Sequence, residues 1–247
     1  MLRIENLCFT ATGENGTKDI IKDLNLVLED KTFAVITGPN GGGKTTLAKL
    51  IMGLEKPTSG KIYWNEQDIT DLSVTERAKL GVSYGFQQPP RFKGVTVYDL
   101  LKAASGRDMT RLECCEYLTQ VGLCARDYIN REVNGSLSGG ELKRIEIATV
   151  LARDTVLSVF DEPEAGIDLW SFKSLIEVFE RMRSANSDRT IIVISHQERI
   201  LNIADEIIVL GGGNILAHGP REEVLPTLLG TSSAVSACGQ LTKGGEK

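Results

Sequence analysis

The sequence predicts an α/β fold with a parallel core sheet, an antiparallel β layer at its edge and an inserted helical subdomain. Short apolar, β-branched runs alternate with helical patterns along most of the 247 residues. Two strand patterns precede the first alternating unit, and a mostly helical stretch over about 88–152 interrupts the alternation. We expect residues 1–230 to form one domain. Residues 231–247 are small, polar and Gly-rich, and we expect a flexible tail there.

The N-terminal elements surround one glycine-rich loop. Residues 2–10 and Ile20–Leu28 predict strands, joined by a hairpin-type loop over 12–17. Phe33–Thr37 predicts a buried strand, and Leu47–Met52 a helix. The later patterns predict, in chain order, a strand at Lys61–Trp64, a helix opened by a capping box at Ser73, a strand at Val82–Phe86, helices at Thr96–Ala104, from Thr110 toward Val121 and at Ser138–Ala152, a strand at Val156–Phe160, a helix at Leu169–Arg183, a strand at Thr190–Ser195, a helix at Gln197–Ala204, and a hairpin of Ile207–Leu210 and Asn214–Ala217.

Composition narrows the class of protein. Hydrophobic residues make up 41% and charged residues 25%, which is typical of a globular protein. No apolar run approaches the ~18 residues of a membrane span. The net charge of −5 gives no support to a nucleic-acid partner. The five cysteines are odd in number and form no C-x-x-C pair, which argues against a disulfide framework and indicates a reducing cytoplasm.

The glycine-rich loop matches the pattern G-x-x-x-x-G-K-[ST] between a predicted strand and a predicted helix. Its glycines allow several backbone N–H groups to face one anion, and the helix N-terminus adds a partial positive charge. Lys44 can reach the β- and γ-phosphates of a nucleotide, and the Thr45 hydroxyl can bind Mg²⁺. The predicted phosphate-binding residues are Gly38, Pro39, Asn40, Gly41, Gly42, Gly43, Lys44, Thr45 and Thr46.

Two carboxylates, Asp161 and Glu162, end an apolar strand at the sheet edge where α/β folds bind ligands. Asp161 would hold Mg²⁺, and Glu162 would act as the general base toward water. The alternative is that both merely end a strand and face solvent. Gln87 and His196 follow two other strands; Gln87 could sense Mg²⁺ and the water, and His196 the γ-phosphate, although a lone histidine is more often a surface residue.

A second anion-binding feature lies at the start of a later helix. Ser138 can cap this helix, whose N–H groups would then face an anion. An ordinary glycine-rich cap is the alternative. In a protein with a phosphate-binding loop, such a helix indicates a second contact to the same nucleotide, made by another subunit. The residues concerned are Leu137, Ser138, Gly139, Gly140 and Glu141.

Together, in this order, these motifs resemble the ATP-binding-cassette (ABC) ATPases over residues 2–229. The resemblance identifies 38–46 as Walker A, 137–141 as the signature and 156–162 as Walker B. It further implies a Q-loop at Gln87, a D-loop containing Asp168 and a switch histidine at His196. It implies ATP and Mg²⁺ as cofactors, with Thr45, Gln87 and Asp161 serving the metal. It also implies a head-to-tail homodimer that sandwiches ATP between Walker A of one protomer and the signature of the other.

Within the family, three stretches resemble the SufC type of ABC ATPase, which serves iron–sulfur cluster assembly. They are 134–147, where transporter subunits usually have Gln and Arg-x-x-x-Ala, 86–89 and 164–168. Ala11 also stands where transporter subunits usually have an aromatic residue against adenine. Pro163 departs toward the transporter pattern. The resemblance implies a SufB/SufD-type scaffold as partner. The alternatives are the ATP-binding subunit of a membrane permease and a non-hydrolysing nucleotide-gated clamp, against which Glu162 and His196 argue.

Overall fold

The computed structural model describes residues 1–13, 16–185 and 188–230 of the chain. The strands are β1 (Leu2–Gly13), β2 (Gly16–Leu28), β3 (Phe33–Thr37), β4 (Ser59–Trp64), β5 (Gln67–Asp68), β6 (Val82–Gly85), β7 (Leu157–Asp161), β8 (Thr190–Ile194), β9 (Glu206–Gly211) and β10 (Asn214–Pro220). The helices are α1 (Lys44–Met52), α2 (Val74–Lys79), α3 (Val97–Ser105), α4 (Arg111–Gln120), α5 (Ala125–Tyr128), α6 (Gly139–Arg153), α7 (Leu169–Ala185) and α8 (Glu198–Leu201). Residues 221–230 are also helical.

The strands form two sheets. One contains four strands in the order β2-β1-β4-β5, and its pairs are antiparallel. The other contains six in the order β10-β9-β3-β8-β7-β6, with parallel pairing from β9 to β6 and an antiparallel hairpin of β9 and β10 at one edge. The predicted fold class, a parallel core with an antiparallel β layer and helices inserted before β7, is confirmed.

The parallel strands are buried on both faces because each face packs against a different layer. Along β3, Phe33 and Val35 belong to the core cluster on the helical side, whereas Ala34 and Ile36 belong to the cluster shared with α1 and the antiparallel sheet. This alternation follows the two-residue period of a strand. It holds the end of β3, where the glycine-rich loop begins, between two packed cores.

Helix starts follow the predicted capping chemistry. Ser73, Thr110 and Ser138 each accept a hydrogen bond from the backbone N–H three residues on and receive the reciprocal carboxylate of a capping box. Thr96 caps α3 in the same way. Each box satisfies backbone groups that a helix start otherwise leaves unpaired. No helix within the described ranges is long and apolar enough to cross a membrane.

Several predicted boundaries differ from the structure. The predicted loop over 12–17 is mostly strand, because Thr12 pairs with Thr17 and Gly13 with Gly16. The predicted helix at 197–204 is helical only over Glu198–Leu201. The short elements β5 and α5 were not predicted, because a few polar residues give no clear period. The helical segment 221–230 was not predicted either, although Val224, Leu225 and Leu228 follow a helical spacing. The predicted flexible tail over 231–247 lies outside the described residues.

Candidate active site

The glycine-rich loop joins β3 to α1 and packs against the β9–β10 hairpin. Gly38 has a φ of 129°. A Cβ added to Gly38 would lie 2.1 Å from the carbonyl oxygen of Leu210, and one added to Gly42 would lie 2.7 Å from the same oxygen. The Gly213 N–H donates to the Gly42 carbonyl at 3.3 Å. The loop backbone therefore approaches β9 more closely than any residue with a side chain permits.

Lys44 lies in this loop with its side chain largely buried. Its ammonium donates to the backbone carbonyls of Gly38 at 2.8 Å and Pro39 at 2.9 Å. Burial lowers the pKa of Lys44, and the carboxylates of Glu162 and Asp161 oppose that shift. The loop thus fixes one positive charge beside its backbone N–H groups, where a phosphate chain would find both.

Asp161, at the end of β7, is only 1% exposed. Its Oδ1 accepts a hydrogen bond from the Thr45 hydroxyl at 3.2 Å, and its Oδ2 accepts one from the Tyr84 hydroxyl at 3.1 Å. Burial raises the pKa of Asp161, and the two hydroxyl hydrogen bonds partly offset this rise. A buried carboxylate held by neutral donors is short of positive charge, which a cation beside Thr45 would supply.

Glu162 follows Asp161 with a left-handed backbone, φ 44°, which is unusual for a residue with a side chain. Its N–H donates to the Ile194 carbonyl at 3.0 Å. The Gln87 side-chain amide donates to Glu162 Oε2 at 2.7 Å. The structure therefore brings two of the predicted catalytic side chains into direct contact, although Gln87 follows β6 and Glu162 follows β7.

His196 stands after β8 at the same edge. Its Nδ1 lies 3.4 Å from the Thr37 hydroxyl. Burial and the neighbouring charge of Lys44 lower the pKa of His196, whereas Glu162 raises it. Ser195 beside it donates its hydroxyl to Glu164 Oε1 at 2.6 Å. The imidazole is thus held at the end of β3, next to the start of the glycine-rich loop.

The start of α6 lies elsewhere in the protomer. The Ser138 hydroxyl accepts from the Glu141 N–H at 3.3 Å, and the Glu141 carboxylate accepts from the Ser138 N–H at 2.7 Å. A Cβ added to Gly140 would lie 2.8 Å from the Gly166 carbonyl oxygen. Asp168 accepts from the N–H of Ser171 at 3.0 Å and from its hydroxyl at 2.7 Å. The predicted signature and D-loop residues therefore adjoin each other.

An open cleft borders the glycine-rich loop. Besides residues 40–46, its lining includes Gln87, Glu162 and two residues of β2, Lys18 and Ile20. The residues 138–141 are not part of this lining. Lys18 and Ile20 escaped the sequence reasoning because nothing in the sequence shows that β2 passes over the loop. The sequence patterns also did not indicate Tyr84 as a site residue. Its position near the end of β6, the strand that precedes Gln87, could have indicated it.

The side chains present fit a nucleotide phosphate chain with Mg²⁺. The Thr45 hydroxyl, the Asp161 carboxylate and the Gln87 amide offer oxygen ligands, which Mg²⁺ prefers. The loop N–H groups and Lys44 suit the phosphate oxygens. The buried Asp161 carboxylate contacts only neutral hydroxyl donors, so its negative charge is not balanced by a side chain that contacts it. A bound Mg²⁺ would balance this charge.

Comparisons with known proteins agree with this geometry. The sequence model of the family described as "ABC transporter" matches residues 21–165. The chain is similar to an uncharacterized ABC transporter ATP-binding protein, MJ0035, of Methanocaldococcus jannaschii, with 36% identity over 85% of this chain and 86% of that protein. The probable ATP-dependent transporter ycf16 of Cyanidium caldarium is 33% identical over 81% and 84%. The lipopolysaccharide export system ATP-binding protein LptB of Haemophilus influenzae is 30% identical over 87% and 92%.

Solved structures show the same fold. The dimeric post-hydrolysis structure of the ATP-binding cassette MJ0796, bound to ADP and Pi, aligns with a TM-score of 0.80 at 24% identity, over 90% of this chain and 99% of that one. The chain belongs to the ABC transporter family of ATP-binding cassettes. It is an ATPase, and its cofactors are ATP and Mg²⁺.

Proposed function

We propose that this chain is the ATPase of a SufC-type assembly. In this proposal, two copies close head-to-tail on ATP in the cytoplasm and drive a conformational change in a scaffold for iron–sulfur cluster assembly. The observation that carries a partner-driving role is an apolar groove beside Gln87. Its lining includes the half-exposed rings of Phe86 and Phe92 together with Pro89 and Pro90. A partner helix seated there would contact the residue directly before Gln87.

In the proposed mechanism the chain's own residues bind the nucleotide, orient the catalytic carboxylate and remove a proton from the attacking water. Lys44 and the loop N–H groups bind the phosphates, while Thr45, Gln87 and Asp161 hold Mg²⁺. The metal, when bound, neutralises charge that develops on the phosphate oxygens. Glu162 accepts a proton from the attacking water, and its contact with Gln87 orients the carboxylate. His196 donates a hydrogen bond toward the γ-phosphate.

The signature contact is proposed to act between subunits. Residues 138–141, at the N-terminus of α6, do not line the cleft of their own protomer, so they would meet the nucleotide of a second copy. The Gly166 backbone, two residues before Asp168, lies against Gly140, so Asp168 would contribute to the same interface. Each composite site would then need two protomers, and each protomer would contribute one ABC domain formed by residues 1–230.

The SufC-type partner rests on the stretch 134–147, which departs from the usual transporter pattern. A scaffold resembling SufB or SufD is the partner that this resemblance implies. The second candidate function is the ATP-binding subunit of a membrane transporter. The names of the relatives favour it, since LptB belongs to a lipopolysaccharide export system and ycf16 is called a probable transporter.

Partner capture separates these two functions. The full chain carrying Glu162→Gln, loaded with Mg-ATP, is used as bait in extracts of its own source. We expect a scaffold protein without membrane spans; a multispanning permease would instead establish the transporter role. Phe92→Glu should abolish capture by placing a charge in the groove. Leu112→Glu is the matched control, because Leu112 is an exposed apolar residue on α4, 71% exposed, away from the groove. Equal capture by the two variants would overturn coupling through the groove.

A further inference from the structure

A buried ion pair on α6 holds the peptide group that precedes Gln87. Lys143 is 1% exposed and Glu146 is 7% exposed, although both are charged. The Lys143 ammonium lies 3.2 Å from Glu146 Oε2, one helical turn away. Such a pair is costly to bury and gains little net stability from its own attraction. Its place in the fold therefore calls for another explanation.

Both members of the pair bind the backbone of Phe86. The Phe86 N–H donates to Glu146 Oε1 at 2.8 Å. The Lys143 ammonium donates to the Phe86 carbonyl oxygen and lies 3.5 Å from the carbonyl oxygen of Asp161. The backbone N–H and the carbonyl oxygen of Phe86 are thus both held by side chains of α6. Apart from the ammonium, Glu146 Oε2 has no hydrogen-bond partner among the described residues.

Gln87 follows this clamped residue and contacts Glu162. Its side-chain amide donates to Glu162 Oε2 at 2.7 Å, and a shift of the adjoining Phe86 backbone would move Gln87 relative to Glu162. The same Lys143 ammonium also lies near the carbonyl of Asp161, the residue before Glu162. One helix therefore fixes the backbone on both sides of the Gln87–Glu162 contact.

We propose that Lys143 and Glu146 are a positioning pair for ATP hydrolysis, which holds Gln87 against Glu162 through the Phe86 backbone. Lys143 and Glu146 touch neither nucleotide nor water in this role. Because the pair sits one to two turns after Ser138 on α6, a nucleotide contact at the start of the helix and the position of Gln87 are mechanically linked. The inference rests on the ATPase activity and is independent of which partner the protein serves.

The test replaces the pair by apolar residues of similar length. Lys143→Met/Glu146→Leu leaves no unpaired buried charge, so the fold should survive while the clamp is lost. We expect kcat to fall at least about tenfold, because a displaced Gln87 no longer orients the base. The dissociation constant for Mg-ATP should stay within about twofold, since the glycine-rich loop is untouched. Wild-type kcat in a folded double variant would overturn the proposal, as would an equal loss of ATP affinity.

Two further measurements keep the test specific. Lys173→Met/Glu177→Leu removes an exposed ion pair on α7, with a 3.9 Å separation, and should leave kcat unchanged. In a Gln87→Ala background, adding Lys143→Met/Glu146→Leu should lower kcat by less than about twofold more, because a pair that acts through Gln87 has nothing left to position. If the double substitution lowers kcat by the same factor in the Gln87→Ala background as in the wild type, the pair does not act through Gln87.

Discussion

At the scale of single residues, the neighbouring carboxylates Asp161 and Glu162 have different surroundings. Asp161 is buried against neutral hydroxyls, whereas Glu162 sits on a left-handed backbone and contacts an amide. The first environment suits binding of a cation, and the second fixes the direction in which the Glu162 carboxylate points. These different surroundings support the proposal that the two neighbouring carboxylates have different roles.

Glu162→Gln should lower kcat by about 10²–10⁴-fold, the usual contribution of a general base. ATP affinity should be unchanged, because the loop and Lys44 remain. Steady-state phosphate release together with equilibrium nucleotide binding measures both quantities. Glu177→Gln, an exposed change on α7, is the control. Turnover close to that of the wild type in Glu162→Gln would remove this residue from the mechanism.

Asp161→Asn should stabilise the nucleotide-free protein. The pKa of Asp161 is raised by burial, so the folded state binds more protons than the unfolded chain between the ordinary Asp pKa of about 3.9 and the raised value. The free energy of unfolding therefore falls as pH rises through that window, and the ionised carboxylate destabilises the fold at neutral pH. We therefore expect the Tm of Asp161→Asn at pH 7 to lie above that of the wild type, because the substitution removes the buried charge and keeps a hydrogen-bonding side chain.

The gain in Asp161→Asn should shrink as pH falls through the raised pKa of Asp161, because the wild-type carboxyl then becomes protonated and no longer carries a buried charge. Added Mg-ATP should stabilise this variant less than the wild type. Asp127→Asn, an exposed change on α5, is the control for a lost surface charge. Thermal melts across pH give the comparison. A variant that melts below the wild type at neutral pH would contradict this account of Asp161.

At the scale of elements, strand β2 forms the outer wall of the nucleotide cleft. Ile20 and Lys18 line the cleft, whereas Ala11 and Phe9 of the neighbouring β1 do not. Phe9 packs against the core cluster between the sheets. The cleft lining among the described residues contains no aromatic residue to stack on the base, so we expect the phosphates and Mg²⁺ to supply most of the affinity.

The cleft should discriminate poorly between ATP and GTP, within about tenfold, because stacking and base recognition are weak. Ile20→Trp should tighten ATP binding about five- to hundredfold, since base–aromatic stacking contributes about 1–3 kcal/mol. Ala11→Trp on the adjacent strand should do less. Calorimetric titration measures these affinities. Weaker ATP binding by Phe9→Ala at unchanged Tm would instead make Phe9 the stacking residue.

Sequence patterns located elements better than they located contacts. The strand Phe33–Thr37 is predicted residue for residue, because a two-sided buried strand must be apolar throughout. The β1–β2 pairing through Gly13 and Gly16 is not predictable, because polar strand ends are defined by their cross-strand partners. Likewise, nothing in the pattern of α6 shows that Lys143 is buried, since burial there depends on the carbonyl of Phe86 from a distant segment.

At the scale of the whole molecule, the proposed dimer would use two separate surfaces of each protomer as the two halves of a composite site. The cleft beside Lys44 is one half, and the start of α6 at Ser138 is the other. Residues 138–141 do not line the cleft of their own protomer, and α6 has a buried face that packs in the core, so we expect the two halves to meet between protomers. In this proposal, catalysis requires association of two chains.

Ser138→Arg should leave nucleotide binding to the isolated protomer unchanged and abolish ATP-driven dimerisation, because it places a bulky cation at the partner's nucleotide. Light scattering with Mg-ATP in the Glu162→Gln background measures the dimer. Ser138→Ala is the matched control: it loses the helix cap, about 1 kcal/mol, without adding bulk. Normal dimerisation by Ser138→Arg would argue against a contact between subunits.

The close approach of the glycine-rich loop to the β9–β10 hairpin has a consequence for protein engineering. The turn at Gly212 and Gly213 lies far along the chain from the loop, and short surface hairpins are ordinary places to insert a tag or a second domain. Here the Gly213 N–H is bonded to Gly42. An insertion between Gly212 and Gly213 would displace the glycine-rich loop. A scan of insertion tolerance should therefore find that this turn does not accept insertions.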